Sequence, residues 1–320
     1  MRLIRGLNRW PGGTGCVATI GNFDGLHLGH QAIFGKLIEA GQSRSLPTTV
    51  ISFEPLPHEY FSASSAPCRL NGFRDRVQST AALGIDQLLL LSFNEELSSQ
   101  PAADFVQHTL VNTLKVQHLM VGDDFRFGHN REGDFELLQT LADSGGYTLE
   151  QNQTVTAGGE RISSTRVRKH LANGELASAA ELLGRPYAIS GRVIHGEKVG
   201  RQLGFPTANV ALGKHRPPPR GVFAVIAHCK QTSKSYGAVA NLGERPTVGG
   251  RRLLLEVHVL DTDVQLYGHH MQIDFIEFIR AEQKFDSLDS LKEAIANDAQ
   301  SAREILKSHS QRKDLANRIG

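Results

Sequence analysis

Residues 16–30 read Cys16-Val17-Ala18-Thr19-Ile20-Gly21-Asn22-Phe23-Asp24-Gly25-Leu26-His27-Leu28-Gly29-His30. The apolar run Cys16 to Ile20 is a buried strand by length and β-branched content, and Gln31 to Ala40 that follows has helical spacing. Strand, glycine-bearing turn and helix in that order place backbone N–H groups where a phosphate can approach them. The alternation continues. Thr49 to Phe53 and Gln87 to Ser92 are strand-like, Ala102 to Leu114 is helix-like, and His118 to Val121 is a further apolar run ending at Gly122. Strands alternating with helices predict βαβ units, hence an α/β domain whose parallel sheet is covered on both faces. Its ligands are expected beyond the carboxyl ends of the strands. Ser164 to Gly184 has helical spacing through Leu171, Leu176, Ala180 and Leu183, and Gly184-Arg185-Pro186 stops it.

From Tyr187 the pattern changes. Ala188 to Ile194, Ala208 to Leu212, Gly221 to Cys229, Ser235 to Leu242, Leu253 to Leu260 and Gln272 to Ile279 are strand-like, with Gly- and Pro-rich turns between them. Six short strands without helices predict a six-stranded antiparallel β-barrel, a closure that removes open sheet edges. Ser287 then caps a C-terminal helix whose apolar face is Leu288, Leu291, Ile295, Ala302 and Leu306. The expected organisation is 1–184, 185–308 and a polar, frayed tail over 309–320, with a stiff basic loop at Lys214 to Arg220.

Composition narrows the function. The 320 residues carry 35 Lys plus Arg against 33 Asp plus Glu, a formal charge of +2, which argues against an electrostatically driven nucleic-acid partner. No run approaches the roughly 18 apolar residues of a membrane span, and the first ten residues lack the apolar stretch of a secretory signal, so a cytoplasmic protein with no membrane partner is expected. Cys16, Cys68 and Cys229 form no CxxC pair, leaving neither a disulfide framework nor a cysteine zinc site. Nothing in the sequence sets the oligomeric state.

His27 and His30 lie three apart and share one face of the helix start, where both rings can donate to one phosphate, with Gly29 leaving room. Alone, the pair is also what a capped helix with two surface histidines looks like. Asp24, His27 and His30 have metal-ligand chemistry, but no further Cys or His cluster completes a site. Gly122-Asp123-Asp124-Phe125-Arg126-Phe127-Gly128 follows another strand, and Arg161-Ile162-Ser163-Ser164-Thr165-Arg166-Val167-Arg168 sets hydroxyls among three arginines at a helix start, a segment suited to a triphosphate. Singly, Ser163, Ser164 and Thr165 read as an ordinary N-cap; beside the histidine motif they gain a second meaning.

In the barrel, Gly196-Glu197-Lys198-Val199-Gly200-Arg201 precedes Gln202-Leu203-Gly204-Phe205-Pro206-Thr207-Ala208-Asn209. It is not a Walker A loop, although its glycines, Lys198 and Arg201 have the chemistry to wrap phosphates. Thr207 and Asn209 project to one side of an extended segment and offer oxygens to a hard cation. Glu256 and His258 face away from Leu255, Val257 and Val259, so Glu256 is either a solvent-facing residue or a general base in a cleft.

The motifs HLGH, GDDFRFG and RISSTRVR, in that order, with Phe53-Glu54-Pro55-Leu56-Pro57 and Arg69-Leu70, resemble the N-terminal module of bacterial bifunctional riboflavin kinase/FAD synthetases, members of the HxGH nucleotidyltransferase superfamily. GRxLGFPTAN, NLGERPT, LEVHVLD, LYG and EQKFDSL are similar to the flavokinase barrel. The resemblance spans about Val17 to Ala302 and implies a Rossmann-like N-terminal domain followed by a flavokinase barrel. It implies that riboflavin is phosphorylated to FMN, and FMN adenylylated to FAD with release of pyrophosphate, with ATP as co-substrate and Mg²⁺ as the ion.

Carried over, the resemblance makes His27 and His30 stabilisers of the α-phosphate. Nucleotide contacts fall to Gly21, Phe23, Asp24, Gly29, Asp124, Arg161, Ser163, Ser164, Thr165 and Arg168 in the first module, and to Gly196, Lys198, Gly200, Arg201, Thr207 and Asn209 in the barrel. Thr207 and Asn209 hold the metal, Glu256 is the base, and Phe61 and Arg245 are the flavin candidates; the rings of Phe53, Tyr60 and Phe61 all have the chemistry to stack on an isoalloxazine, with core packing the favoured role of Phe53. Three positions depart from the family pattern: Asp124 stands where some members carry Asn, Phe223 at a frequent Tyr and Glu244 at a frequent Thr. A single nucleotidyltransferase with a passive barrel, or a flavin- or RNA-binding regulator, would fit parts of the pattern; Glu256, His27 and His30 together argue for two reactions.

Overall fold

The computed structural model describes residues 1–62, 65–195, 204–213, 216–247, 250–262 and 264–319, with the backbone path alone for 245–247, 250–252 and 313–319. Two compact units emerge: Met1–Pro67 with Arg76–Ser163, and Cys68–Asp75 with Ser164–Gly320.

The first unit is built on β1 (Arg2–Arg5), β2 (Cys16–Ile20), β3 (Thr48–Glu54), β4 (Gln87–Ser92), β5 (Val116–Gly122) and β6 (Thr148–Asn152). They form one sheet in the order β1-β4-β3-β2-β5-β6, parallel at every pairing. The chain moves outward from β2 through β3 to β4, then returns to the other side of β2 for β5. The strand order therefore reverses between β2 and β5, which opens a crevice at their carboxyl ends.

Helices α1 (Leu28–Arg44), α2 (Pro57–Phe61), α3 (Phe73–Ala82), α4 (Glu95–Ser98), α5 (Ala102–Asp104) and α6 (Phe135–Gly145) connect the strands, α5 running on as a π-helix through Phe105–Thr113. Ile20, Ile51, Leu89 and Val121 from the sheet pack against Leu110 of the π-helix and Leu138 of α6, while Phe34 and Leu37 of α1 are also fully buried. Burying side chains of this size contributes about 1.5–3 kcal/mol each. β1 and β6 were not anticipated: β1 is four residues with one buried side chain, and β6 is largely polar.

After a short β7–β8 ribbon (Thr156–Ala157, Glu160–Arg161), the segment expected as one helical stretch is two helices, α7 (Ser164–Ala172) and α8 (Leu176–Leu183). Gly174 between them takes φ +76°, and a Cβ there would crowd the Phe278 ring. Both helices belong to the second compact unit. Arg168 Nε donates to Cys68 O at 2.6 Å and Ser190 N–H to Asp75 Oδ2 at 3.3 Å, so the strip Cys68–Asp75 is bonded into this unit.

The remainder is a closed antiparallel barrel, β10-β13-β12-β11-β14-β9, from β9 (Tyr187–Ile194), β10 (Ala208–Val210), β11 (Gly221–Cys229), β12 (Lys234–Thr247), β13 (Gly250–Val259) and β14 (His270–Arg280). Leu255, Ala240, Phe223, Ile273 and Phe275 are fully buried, the two rings meeting edge-on at 5.1 Å. Helix α9 (Leu288–Ile319) covers Val222, Ala224 and Val239 with Ala299 and Ala302. Ser287 caps it, its hydroxyl accepting from Ser290 N–H. Two expectations need correction here. Leu288 is 65 % exposed, so the packed face begins further along, and the helix continues to Ile319 through the stretch expected as a frayed tail.

Candidate active sites

At the carboxyl end of β2 the chain makes its turn with two non-glycine residues in the left-handed region, Phe23 (φ +47°) and Leu26 (φ +44°). Such backbone costs of order 1–2 kcal/mol per residue and persists where surrounding packing over-determines it. Both side chains are buried, and the Phe23 ring lies 5.0 Å from that of Phe34 and 5.2 Å from that of His30. Phe23 therefore walls the turn with its ring. Gly21 is needed because a Cβ there would sit 2.9 Å from this ring.

The turn delivers His27 as N-cap of α1, its Nδ1 accepting from His30 N–H at 3.3 Å. That bond places the His27 proton on Nε2 and leaves it to donate elsewhere. The two imidazoles stack, centroids 3.7 Å apart and 19° from parallel. A Cβ on Gly29 would press on the His27 ring at 3.2 Å, so glycine keeps the stack undisturbed. His30 Nδ1 is buried without a hydrogen-bond partner among the described residues. Burial first, then the electrostatic influence of His27 and Arg161, holds the His30 pKa well below the usual histidine value. An anion brought against the pair reverses that electrostatic penalty. Asp24 is buried behind the same turn.

Across the crevice, after β5, Arg161 Nη2 meets Asp124 Oδ1 at 2.9 Å and Asp123 Oδ1 at 3.2 Å. Thr154 Oγ1 donates to the other Asp123 oxygen. Phe125 and Phe127 of the same motif stack on each other and pack into the core. The guanidinium expected on a triphosphate is thus held by two carboxylates, with which an incoming phosphate must compete. His27, His30, Asp124 and Arg161 do assemble in one unit. Ser163 ends that unit; Ser164 and the exposed Thr165 open α7 in the second, where Arg168 spends its Nε on Cys68 O.

Phe61 is 66 % exposed and joins Tyr60 and Phe93 in mutual edge contacts at 5.3–5.6 Å, with Phe53 edge-on to Phe93 beneath them. An open aromatic face of this kind suits a flat ring system. Two residues here were not anticipated. Phe93 stands alone after β4, with no motif around it. Arg76, 3 % exposed on α3, donates to Phe53 O at 3.2 Å, Asn22 O at 3.5 Å and Glu54 Oε2 at 2.7 Å, tying the turn after β2 to the end of β3. One arginine in an amphipathic helix carries no signal of that role.

In the barrel, the registers β10–β13 and β12–β13 set Asn209 and Asn241 on either side of Glu256. Directly opposed residues share a face, so the three form one row, continued by Val222 and then Arg280. Leu255 and Val257 point into the core, which turns Glu256 outward, as the alternation predicts. The Arg280 guanidinium grips Asp298 of α9 through two bonds of 2.7 and 2.8 Å. Asn241 Oδ1 is buried with no partner among the described residues, a further polar group that sequence reading passed over. Thr207 lies immediately before β10. Gly196, Lys198, Gly200 and Arg201 lie outside the described residues; Arg245 is described by backbone only, on β12. Among the described residues no three His, Cys, Asp or Glu side chains form a metal-holding group.

Residues 12–166 match the FAD synthetase family model and residues 183–306 the riboflavin kinase family model. The bifunctional riboflavin kinase/FMN adenylyltransferase of Escherichia coli K12 is 48% identical over 307 residues, 95% of this chain and 98% of the relative. That of Haemophilus influenzae is 43% identical, covering 96% of this chain and 100% of its own length. A crystal structure described as a macrolide-efflux protein from Streptococcus pneumoniae superposes with a TM-score of 0.79 at 27% identity, covering 94% of this chain and 98% of that one. In the present chain, among the described residues, no helix is long and apolar enough to cross a membrane.

Proposed function

Since this chain belongs to the bifunctional riboflavin kinase/FMN adenylyltransferase family, we propose that its barrel and its parallel-sheet module each bind ATP and cleave it at different phosphorus atoms. In the barrel, Glu256 takes the proton from the riboflavin 5′-hydroxyl. The oxygen then bonds to the γ-phosphorus as its bond to ADP breaks, giving FMN. Thr207 and Asn209 supply neutral oxygens, few in number. This fits a magnesium ion that arrives on the nucleotide and keeps waters and phosphate oxygens as its other ligands. Bound there, the ion would neutralise phosphate charge during transfer.

In the sheet module the FMN phosphate attacks the α-phosphorus of a second ATP, forming the P–O–P bond of FAD while pyrophosphate leaves. The nucleophile is already ionised, so no base is required, and positioning with charge neutralisation must carry the rate. His27 Nε2–H and His30 face the α-phosphate, Arg161 passes from its carboxylates to the triphosphate, and Phe61 receives the isoalloxazine ring. Three cysteines without a disulfide suit a reducing cytoplasm. The observation that carries this reading is the stacked imidazole pair, with its orphaned nitrogen, at the point where the strand order reverses. Incubation with riboflavin, ATP and Mg²⁺, followed by chromatography, is expected to show FMN rising first, then FAD with pyrophosphate. Omitting Mg²⁺ should remove both. Absence of either flavin product overturns the corresponding half.

A further inference from the structure

The stretch that offers Thr207 to a nucleotide is irregular. Phe205, Pro206 and Thr207 precede β10, and none of them makes a backbone hydrogen bond to a described residue. One side chain holds the stretch. His258, two residues after Glu256 on β13 and therefore on the same face, donates from Nδ1 to Pro206 O at 2.9 Å, and its ring meets Phe205 edge-on at 5.5 Å. A carbonyl only accepts, so this bond fixes the proton on Nδ1. The Asn209↔Glu256 pair locks one end of the segment by strand register, and the imidazole locks the other at Pro206. Thr207 hangs between these two anchors.

We propose that His258 is the positioning residue of the kinase centre: its Nδ1–H sets the height of the Phe205–Thr207 segment above β13, and hence where the metal–nucleotide complex sits relative to Glu256. The proposal rests on the barrel assignment given above and adds a residue to it. A net hydrogen bond is of the size that shifts an equilibrium up to about tenfold, and misplacement of reacting groups by an ångström costs more in rate.

The test compares two amide isosteres. Asparagine places its N–H where the imidazole Nδ1–H stands, and glutamine places it a bond further out. The probe is Mg·ADP binding by calorimetry, taking the heat component that Asn209→Ala abolishes as the barrel's share. His258→Ala and His258→Gln should weaken that component about tenfold and raise KM for Mg·ATP in FMN formation, leaving KM for riboflavin within about twofold. His258→Asn should restore both to near the parent value. A parent-like thermal midpoint in the same variants reports that the barrel is folded. A parent-like Mg·ADP affinity in His258→Ala, or an Asn variant no better than the Gln variant, overturns the role. If instead Glu256→Gln phosphorylates riboflavin at the parent rate, the barrel assignment itself fails, whatever His258 does.

Discussion

The two centres are made by opposite uses of the backbone. In the parallel-sheet unit the candidate side chains stand beyond the sheet strands, on a turn strained at Phe23 and Leu26, on the loop after β5 and on the short β8. In the barrel Asn209, Glu256 and Asn241 stand on the strands and become neighbours through register alone. The first arrangement depends on what is buried beneath a loop. The second depends on a ladder whose slip by one residue would turn Glu256 into the core. Loops after a sheet can be reshaped one at a time around two anions, whereas a carboxylate poised for one proton gains from a rigid pleat.

Substitutions that silence one centre and spare the other probe this contrast most sharply. Glu256→Gln keeps the shape of the row and removes the proton acceptor; FMN formation should fall by roughly three orders of magnitude, within the usual range of general-base catalysis. Adenylylation of added FMN should stay at the parent rate, and product analysis reads both in one assay. His30→Ala should lower FAD formation by about a hundredfold, the scale of one lost transition-state donor, and leave riboflavin phosphorylation intact. Loss of both activities in a folded His30→Ala protein would mean that the centres are not separate.

Acid should act on stability through the buried histidines. The lowered pKa of His30 means that the folded state binds fewer protons than the unfolded chain below about pH 6.5, so stability is retained above that value and declines as pH falls beneath it. His118, lowered chiefly by burial and then by Arg44, acts with the same sign. The thermal midpoint should therefore drop between pH 7.5 and 5.5, and less so in His30→Gln, where His118 and His270 remain. An equal drop in both proteins would remove His30 from this account. The smallest effect is expected at Asp124, 70 % exposed, where Asn keeps a hydrogen bond to Arg161 and the surface pair contributes about 1 kcal/mol or less. FAD synthesis in Asp124→Asn should stay within severalfold of the parent. A larger loss would show that the carboxylate charge itself is needed.

Much of the architecture was legible because periodicity reports burial. Gln87–Ser92 and Gly221–Cys229 coincide with their expected bounds, since four buried leucines in one case and burial on both faces in the other make an unbroken apolar run. β6 escaped notice because only Asn152 in it is buried, and the break at Gly174 because one glycine inside a helical period is weak punctuation. At the sites, the glycine–histidine turn was readable from spacing, whereas Arg76, Phe93 and Asn241 were not. Each is brought in by tertiary pairing from a stretch without a motif of its own, or from a motif read for other residues. The grip of Asp123 and Asp124 on Arg161 was likewise invisible, because it joins the loop after β5 to the distant strand β8.

The strip Cys68–Asp75 lies early in the polypeptide yet is bonded to partners that come much later. A protease nick or a stop codon at Ser163 would thus make unequal fragments. The upstream piece would carry eight residues parted from Arg168 and Ser190, and the downstream piece would be missing the acceptors of those two donors. Turning this enzyme into two freestanding catalysts requires transplanting a segment as well as severing a bond.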